Sequence, residues 1–342
     1  MTTATSAPDE PAACAHAAPP RILTGDRPTG PLHLGHYFGT LRNRVRLQER
    51  GADLLVLIAD YQVLTDRDTA DRLEEYVYGQ VLDYLAIGID PARATIFAHS
   101  AVPALNQLLL PFLSLVSVPE LNRNPTVKDE IAHARSSSVS GLMFSYPAHQ
   151  AADILSCKAN LVPVGQDQLP HVEITRLIAR RFNQRYGPVF PVPEAMLSEA
   201  PLLLGTDGGK MSKSRGNAIA LSATPGQTAA LIRGAKTDAE LQISYDPERR
   251  PEVANLVLLA ALCLDRDPHE VAAQLGSGGA RELKDTVIAA VNERLAPIRA
   301  RRAEYAADPL FLRNVLRDGN ERANDIASDT LAEVRSAMGM SY

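Results

Sequence analysis

The stretch Leu54-Leu-Val-Leu-Ile-Ala59, closed by Asp60, is a nearly uninterrupted apolar run of strand length. Such a run suits a parallel strand covered on both faces, not one with a wet side. It stands between helical patterns. Upstream, Arg21-Ile-Leu-Thr-Gly25 reads as a short strand. His36 to Arg50 then places apolar side chains at Phe38, Leu41 and Val45 and charges at Arg42, Arg46 and Arg50, the spacing of an amphipathic helix. Downstream, Asp68 or Thr69 can cap a helix whose buried stripe is Leu73, Val77, Val81, Tyr84 and Leu85, with Gly88 to end it and a strand at Ala94 to Ala98. The order βαβαβ predicts an α/β fold, a doubly wound parallel sheet of Rossmann type whose ligands bind beyond the carboxyl ends of the strands.

The alternation breaks between about Pro103 and Asn160, which reads as an inserted helical segment carrying the polar run Arg135-Ser-Ser-Ser138. It resumes with Leu161-Val-Pro-Val164 and a long helix through Arg185, with Arg176, Arg180, Arg181 and Arg185 on polar positions. Beyond residue 220 the pattern is helical, including Glu282 to Ala307 and Glu321 to Met338, and Pro297 is expected to kink or break the first of these. The chain thus divides into a disordered Ala/Pro/Thr-rich tail at 1–20, a nucleotide-binding domain at 21–220 with its insertion at 103–160, and an all-helical domain at 221–342.

The 342 residues carry a net charge of −5, with 45% hydrophobic and 22% charged residues, the balance of a soluble globular protein. No apolar run approaches a bilayer span, so no membrane segment is expected. The tail fits neither a secretory signal nor an Arg-rich transit peptide. Cys14, Cys157 and Cys263 are far apart and lack CxxC spacing, which argues against a disulfide framework or a zinc site. No metal site and a cytoplasmic location are expected. An acidic chain is not a nucleic-acid binder as a whole, so any RNA contact must be local.

Four segments carry chemistry. Thr24-Gly-Asp-Arg27-Pro28-Thr29-Gly30, followed by Pro31-Leu-His33-Leu34-Gly35-His36, lies between a strand and a helix, where backbone N–H groups and the helix dipole favour anions. Gly35 would let a nucleotide approach the backbone, and two imidazoles can donate to phosphate oxygens. Taken alone, the histidines could equally be turn residues or half of a metal site. Gly208-Gly-Lys210-Met211-Ser212-Lys213-Ser214-Arg-Gly-Asn217 joins flexible glycines to ammonium groups suited to charge that develops on a leaving phosphate. Gly165-Gln166-Asp167-Gln168 lies at another strand end. In Tyr146-Pro-Ala-His-Gln150-Ala-Ala-Asp153, a helix beginning after Pro147 would bring Gln150 and Asp153 onto one face. A carboxylate among Ile154 and Leu155 would be costly without a donor.

In this order and setting, His33-Leu-Gly-His36 and Lys210-Met-Ser-Lys-Ser214 resemble the HIGH and KMSKS signatures of class I aminoacyl-tRNA synthetases. The resemblance implies activation of an amino acid by ATP, with Mg2+ bound alongside the ATP. It implies catalytic roles for His33, His36, Lys210 and Lys213. ATP would be held by Arg27, Pro28, Thr29, Gly35, His36, Gly165, Gln166, Asp167 and the 210–214 loop, with Lys128 as a further phosphate contact. Residues 146–153 match YxxxQxxD of tyrosyl-tRNA synthetases, and Tyr146 to Leu155 match YPxxxAADIL of tryptophanyl-tRNA synthetases.

The remaining segments decide. Gly25 to Tyr37, Asn124-Pro-Thr-Val-Lys128, Leu161 to Gly165, Lys210 to Ile219 and Arg335-Ser-Ala-Met-Gly339 resemble the divergent bacterial branch of tryptophanyl-tRNA synthetases. The commoner branch has Gln, Asn, His and Met where this chain has Arg27, His36, Gln62 and Gln150. The resemblance implies L-tryptophan bound by Asp153, Tyr146, Gln150 and Gln168, with Asp153 receiving the indole N–H. It also implies tRNA(Trp) as partner, a homodimer with the insertion at its interface, and an anticodon-reading helical part at 221–342, where Arg299, Arg301 and Arg302 are candidate phosphate contacts. The alternatives are a tyrosine–tRNA ligase, or a paralogue without aminoacylation that serves as a binding or regulatory protein.

Overall fold

The computed structural model describes residues 19–342 apart from 66–69, 126, 129–139, 198–201 and 213–214, and the side chains of Thr65, Ala70 and Asp167. The expected caps Asp68 and Thr69, the run 135–138, Cys14, Lys213 and Ser214 lie outside the described residues.

The five strands are β1 (Arg21–Asp26), β2 (Asp53–Ile58), β3 (Ala94–Ala98), β4 (Leu161–Val164) and β5 (Glu194–Leu197). They form one parallel sheet in the order β3-β2-β1-β4-β5. The β2 run alternates between two cores: Leu54, Val56 and Ile58 face one, Leu55 and Leu57 the other. That is why neither face of the strand tolerates a polar residue.

Strand order reverses direction between β1 and β4, and there the sheet is weakest. The two strands share a single register pair, Ile22 with Leu161. Pro163 has no N–H to continue the ladder. The carboxyl halves of β1 and β4 therefore part, and a crevice opens at the switch point.

Helix α1 departs from the expected helix at His36. It starts at Leu34 and is built of Leu34–His36, a π-helical Tyr37–Leu41 and Arg42–Glu49. Helix α2 (Leu73–Ile87) buries Val77, Val81, Tyr84 and Leu85 as expected, and Gly88 ends it at φ 112°. The insertion holds α3 (Pro103–Gln107), α4 (Leu109–Leu113), α5 (Val118–Arg123) and α6 (Gly141–Ser156). Pro147 does not start α6. The helix begins seven residues earlier in register terms, at Gly141 under a Ser140 cap that accepts the Met143 N–H, and runs through the proline. Only one N–H is missing at Pro147, and eleven buried residues of α6 outweigh it. Helix α7 (Leu169–Tyr186) follows β4.

Beyond β5 come α8 (Pro225–Arg233), α9 (Pro251–Leu264), α10 (Pro268–Leu275), α11 (Gly279–Ala306) and α12 (Pro309–Ala337). Two expectations are corrected here. Pro297 lies within α11 without ending it, and the last helix begins at Pro309, not near Glu321. These helices pack on the sheet half instead of standing apart from it. Residues of α9 and α11 complete the core that holds Ile22 and Val56, while Ala323, Ala327, Leu331 and Val334 of α12 complete the one that holds Leu55 and Phe97. Asn320 of α12 accepts the Ala98 N–H at 2.9 Å and Arg322 donates to the Ala94 carbonyl at 3.3 Å, which covers the edge strand β3.

Candidate functional site

A cleft of about 780 Å³ opens at the carboxyl ends of β1 and β4. The turn after β1 and the start of α1 supply Arg27, Thr29, His33 and His36. The loop after residue 204 supplies Lys210, Met211 and Ser212, while α6, β4 and the following turn supply Gln150, Asp153, Gly165 and Gln168. Three segments far apart in sequence thus face one space. Pro28, Gly35, Lys128, Tyr146 and Gln166 are described but do not form its wall, and Lys128 and Gln166 are exposed.

The two histidines are locked together. The His33 backbone N–H donates to His36 Nδ1 at 3.2 Å, and the ring centroids are 3.8 Å apart. With Nδ1 accepting, a neutral His36 carries its proton on Nε2 and offers a donor. A Cβ at Gly35 would stand 3.0 Å from the His33 ring and 3.3 Å from Met211 Sδ, so the missing side chain makes room for these two side chains.

Beneath the turn lies a network that sequence reading missed. Asp26 Oδ2 accepts from Arg44 Nη1 at 2.6 Å and from the Tyr84 hydroxyl at 2.8 Å. Burial pushes the Asp26 carboxyl up. The Arg44 charge, the neighbouring His36 and the two hydrogen bonds outweigh burial and hold it at about 2. Burial and the Asp26 charge push the Tyr84 phenol well above its ordinary value. The floor of the turn is therefore an ionised carboxylate whose Oδ2 carries two hydrogen bonds.

The lysine-rich loop is braced by Asn217, whose side chain is buried. It accepts the Ser212 N–H at 2.8 Å and donates to the Lys210 carbonyl at 3.1 Å and to Asp207 at 2.7 Å. A Cβ on Gly205 would collide with this amide, which explains that glycine. Asn255 of α9 holds the other end of the loop by pairing with both backbone groups of Leu204. Downstream, the Leu34 N–H donates to the Ile219 carbonyl at 3.0 Å and the Leu221 N–H to the Leu32 carbonyl at 2.9 Å.

Asp153, 1% exposed, meets a partner that no sequence spacing announces. His99, at the end of β3, places Nε2 3.0 Å from Asp153 Oδ1, without the alignment of a hydrogen bond. The signal that could have found it is position alone: the carboxyl end of a parallel strand is where side chains reach ligands. Tyr146 lies behind the wall, its hydroxyl 3.1 Å from His171 Nε2 and its ring under the Arg27 guanidinium at 5.6 Å. Arg27 Nε donates to Gln62 Oε1 at 3.1 Å. Two departures from the commoner sequence pattern are thus each other's partners.

The run Arg299, Arg301 and Arg302 is spent internally. Arg299 bonds Thr228, Arg301 the Ala86 carbonyl and Arg302 the buried Asp83. These arginines fasten α11 to α8 and α2, which corrects their expected role as phosphate contacts.

Comparison with known proteins agrees with this geometry. Residues 15–296 match the family described as tRNA synthetases class I (W and Y). A tryptophan–tRNA ligase of Treponema pallidum is 44% identical over 94% of this chain and 97% of its own length. One from Streptococcus pyogenes serotype M1 is 42% identical over 94% and 99%. The crystal structure of a tryptophanyl-tRNA synthetase from Campylobacter jejuni, complexed with ADP and tryptophan, superposes with a TM-score of 0.82 at 31% identity, covering 93% of this chain and 99% of that one. A parallel sheet split at its switch point, with the paired histidines and the lysine loop on one cleft, is thus joined to near full-length similarity, and the chain belongs to the class I aminoacyl-tRNA synthetases of the tryptophan and tyrosine family.

Proposed function

We infer that this enzyme activates L-tryptophan with ATP and transfers it to tRNA(Trp). The observation that carries the reading is the meeting in one cleft of His36, the Lys210–Ser212 segment and the buried carboxylate of Asp153. In the first step the tryptophan carboxylate oxygen attacks the α-phosphorus of ATP, and the bond to pyrophosphate breaks. Tryptophanyl-adenylate remains. Little covalent help is possible, so the protein contributes position and charge. His36 donates from Nε2, Arg27 and Thr29 hold phosphate oxygens, and Lys210 and Lys213 meet the charge that grows on pyrophosphate. Asp153 receives the indole N–H, with Gln150 and Gln168 beside it. In the second step a ribose hydroxyl of the tRNA terminus attacks the acyl carbon and AMP leaves.

Mg2+ enters with ATP as part of the substrate. Of the described carboxylates on the cleft, Asp26 is consumed by Arg44 and Tyr84 and Asp153 stands on the α6 wall. The phosphates themselves are therefore its main ligands. We assign anticodon reading to the helices after residue 220, through groups other than the internally paired Arg299, Arg301 and Arg302. The protein works in the cytoplasm as a homodimer joined through the insertion, and no helix among the described residues is long and apolar enough to cross a membrane.

ATP–pyrophosphate exchange tests the reading. Tryptophan is expected to drive it, with tyrosine behind and phenylalanine nearly silent. A site built around a hydrogen bond rejects an analogue lacking it by about 10⁴ to 10⁵. Equal exchange with tyrosine overturns the substrate, and exchange without charging of tRNA(Trp) overturns the second step.

A further inference from the structure

Behind the α6 wall of the cleft, His99, His149 and Asp153 bring three potential ligand atoms within 4.8 Å of one another, all buried. They come from the end of β3 and from one face of α6, fifty residues apart, so no sequence spacing announces them. His99 Nδ1 and Nε2, His149 Nδ1 and Asp153 Oδ1 have no hydrogen-bond partner. Leaving such atoms buried and unbonded costs about 1–3 kcal/mol each. Several in one spot, aimed at one another, call for a shared occupant.

His149 is oriented as a metal ligand would be. Asn106 donates from Nδ2 to the His99 and Val102 carbonyls at 2.9 and 3.0 Å, which turns its Oδ1 toward His149 Nε2 at 2.8 Å. An oxygen there requires the proton on Nε2 and leaves a lone pair on the buried Nδ1, which has no hydrogen-bond partner. The 3.0 Å contact between His99 Nε2 and Asp153 Oδ1 is off the line of a hydrogen bond. It is close to the ~3.3 Å edge of a tetrahedron whose metal–ligand bonds are about 2.0–2.2 Å long. Asp153 also lines the cleft, which provides an entry path.

We propose that His99, His149 and Asp153 form a binding site for a divalent transition-metal ion, Zn2+ by its donor set. A two-imidazole, one-carboxylate set serves Zn2+ and, as a facial triad, Fe2+, and the 3.0 Å separation of His99 Nε2 and Asp153 Oδ1, close to a tetrahedral edge, favours Zn2+. An ion there takes the carboxylate that the indole N–H would use, so Zn2+ and tryptophan exclude each other. That second statement rests on the assignment of Asp153 to the indole, whereas the site itself does not.

The test uses the full-length protein stripped by a chelator and titrated with Zn2+ by calorimetry and with Co2+ by its absorption spectrum. One equivalent of metal per chain is expected, with the Co2+ bands of a tetrahedral site. His99→Gln and His149→Leu should each lose more than ~100-fold in affinity, and Asn106→Leu about 10–100-fold, the usual effect of removing an outer-shell partner. Thermal unfolding in chelator shows that each variant is folded, and anomalous scattering from a zinc-grown crystal locates the ion independently of any variant. Affinity unchanged in folded His99 and His149 variants, or an anomalous peak elsewhere, overturns the site and leaves the tryptophan reading standing. Zinc bound at the site with tryptophan affinity unaltered overturns the indole role of Asp153 and leaves the site standing.

Discussion

Leu34 gives its backbone N–H to the carbonyl of Ile219 at 3.0 Å, so the first turn of the helix after His33 is stitched to the chain just beyond the lysine loop. The antiparallel bridge between His33 and Ala220 completes the seam. One N–H that a helix start ordinarily offers to an anion is thus used to join the two signatures. Whatever moves the loop must bend it between Leu204 and Asn217, because both flanks are fixed.

Asn217 is the downstream pivot of that bend. In Asn217→Ala, Ser212 N–H and the Lys210 carbonyl lose this partner, and the cost of about 0.5–1.5 kcal/mol per hydrogen bond falls on loop geometry. Exchange kcat is expected to drop ~10- to 100-fold with little change in the dissociation constant of tryptophan. Steady-state exchange paired with a tryptophan binding titration checks this. The absence of tryptophan residues from the chain makes the ligand the only indole fluorophore.

Lys213→Ala should act on the transition state alone. Its ammonium is assigned to charge that develops only as pyrophosphate departs, so adenylate formation should slow by roughly 10² to 10³ with tryptophan affinity kept. Single-turnover kinetics separates the two, and a variant with normal turnover but weak tryptophan binding would sink the assignment.

Asp26 sets an acid limit on stability. Its carboxyl is lowered from 3.8 to about 2 in the folded protein. A depressed acid contributes stability that is present above its unfolded value and is lost as pH falls through the folded one, here between about 4 and 2. The contribution is on the order of 2 kcal/mol. Arg44→Met strands the buried carboxylate and should cost about 3–5 kcal/mol at neutral pH, while Arg44→Met with Asp26→Asn should cost less than the single change. Urea denaturation followed against pH reads both.

Gly319 marks where α12 touches the sheet. A Cβ at this position would fall on the carbonyl oxygen of Ile96 in β3, a backbone atom that cannot turn aside. Gly319→Ala is expected to destabilise the fold by more than ~2 kcal/mol through displacement of α12. Chemical denaturation would show it, and a change within ±0.5 kcal/mol, the usual range of a neutral surface substitution, would count against tight docking.

Strands were legible because burial on two faces leaves little freedom of composition. Ala94–Ala98 is a strand at the expected residues, and the α2 stripe is buried from Val77 to Leu85 as its spacing requires, with Leu73 half-buried at the helix start. Pairings between distant residues were not legible. Arg44 follows no period that marks it as buried, since its partner Asp26 is eighteen positions away on a different element. Pro147 and Pro297 each remove one N–H, a local loss that tertiary contact overrides in α6 and α11. The basic run 299–302 resembled an RNA surface because one-dimensional charge does not say which residues are already bonded inside. In the cleft, motif positions such as His33, His36 and Lys210 were legible, and their supports Asn217, Asn255 and His99 act through folds of the chain that spacing does not encode.

The cover that α12 lays over β3 has a consequence in time. When a ribosome has produced residue 220, every cleft residue and all five strands exist, yet the edge of β3 is bare, because Asn320 and Arg322 have not been made. At 5–20 residues per second, reaching the end of α12 at residue 337 takes roughly 6–23 s. Throughout that interval the nascent sheet presents unpaired N–H and C=O groups to its neighbours on the polysome. A chain interrupted before Pro309 would hold the whole chemical apparatus and still be prone to pair edge to edge with its like.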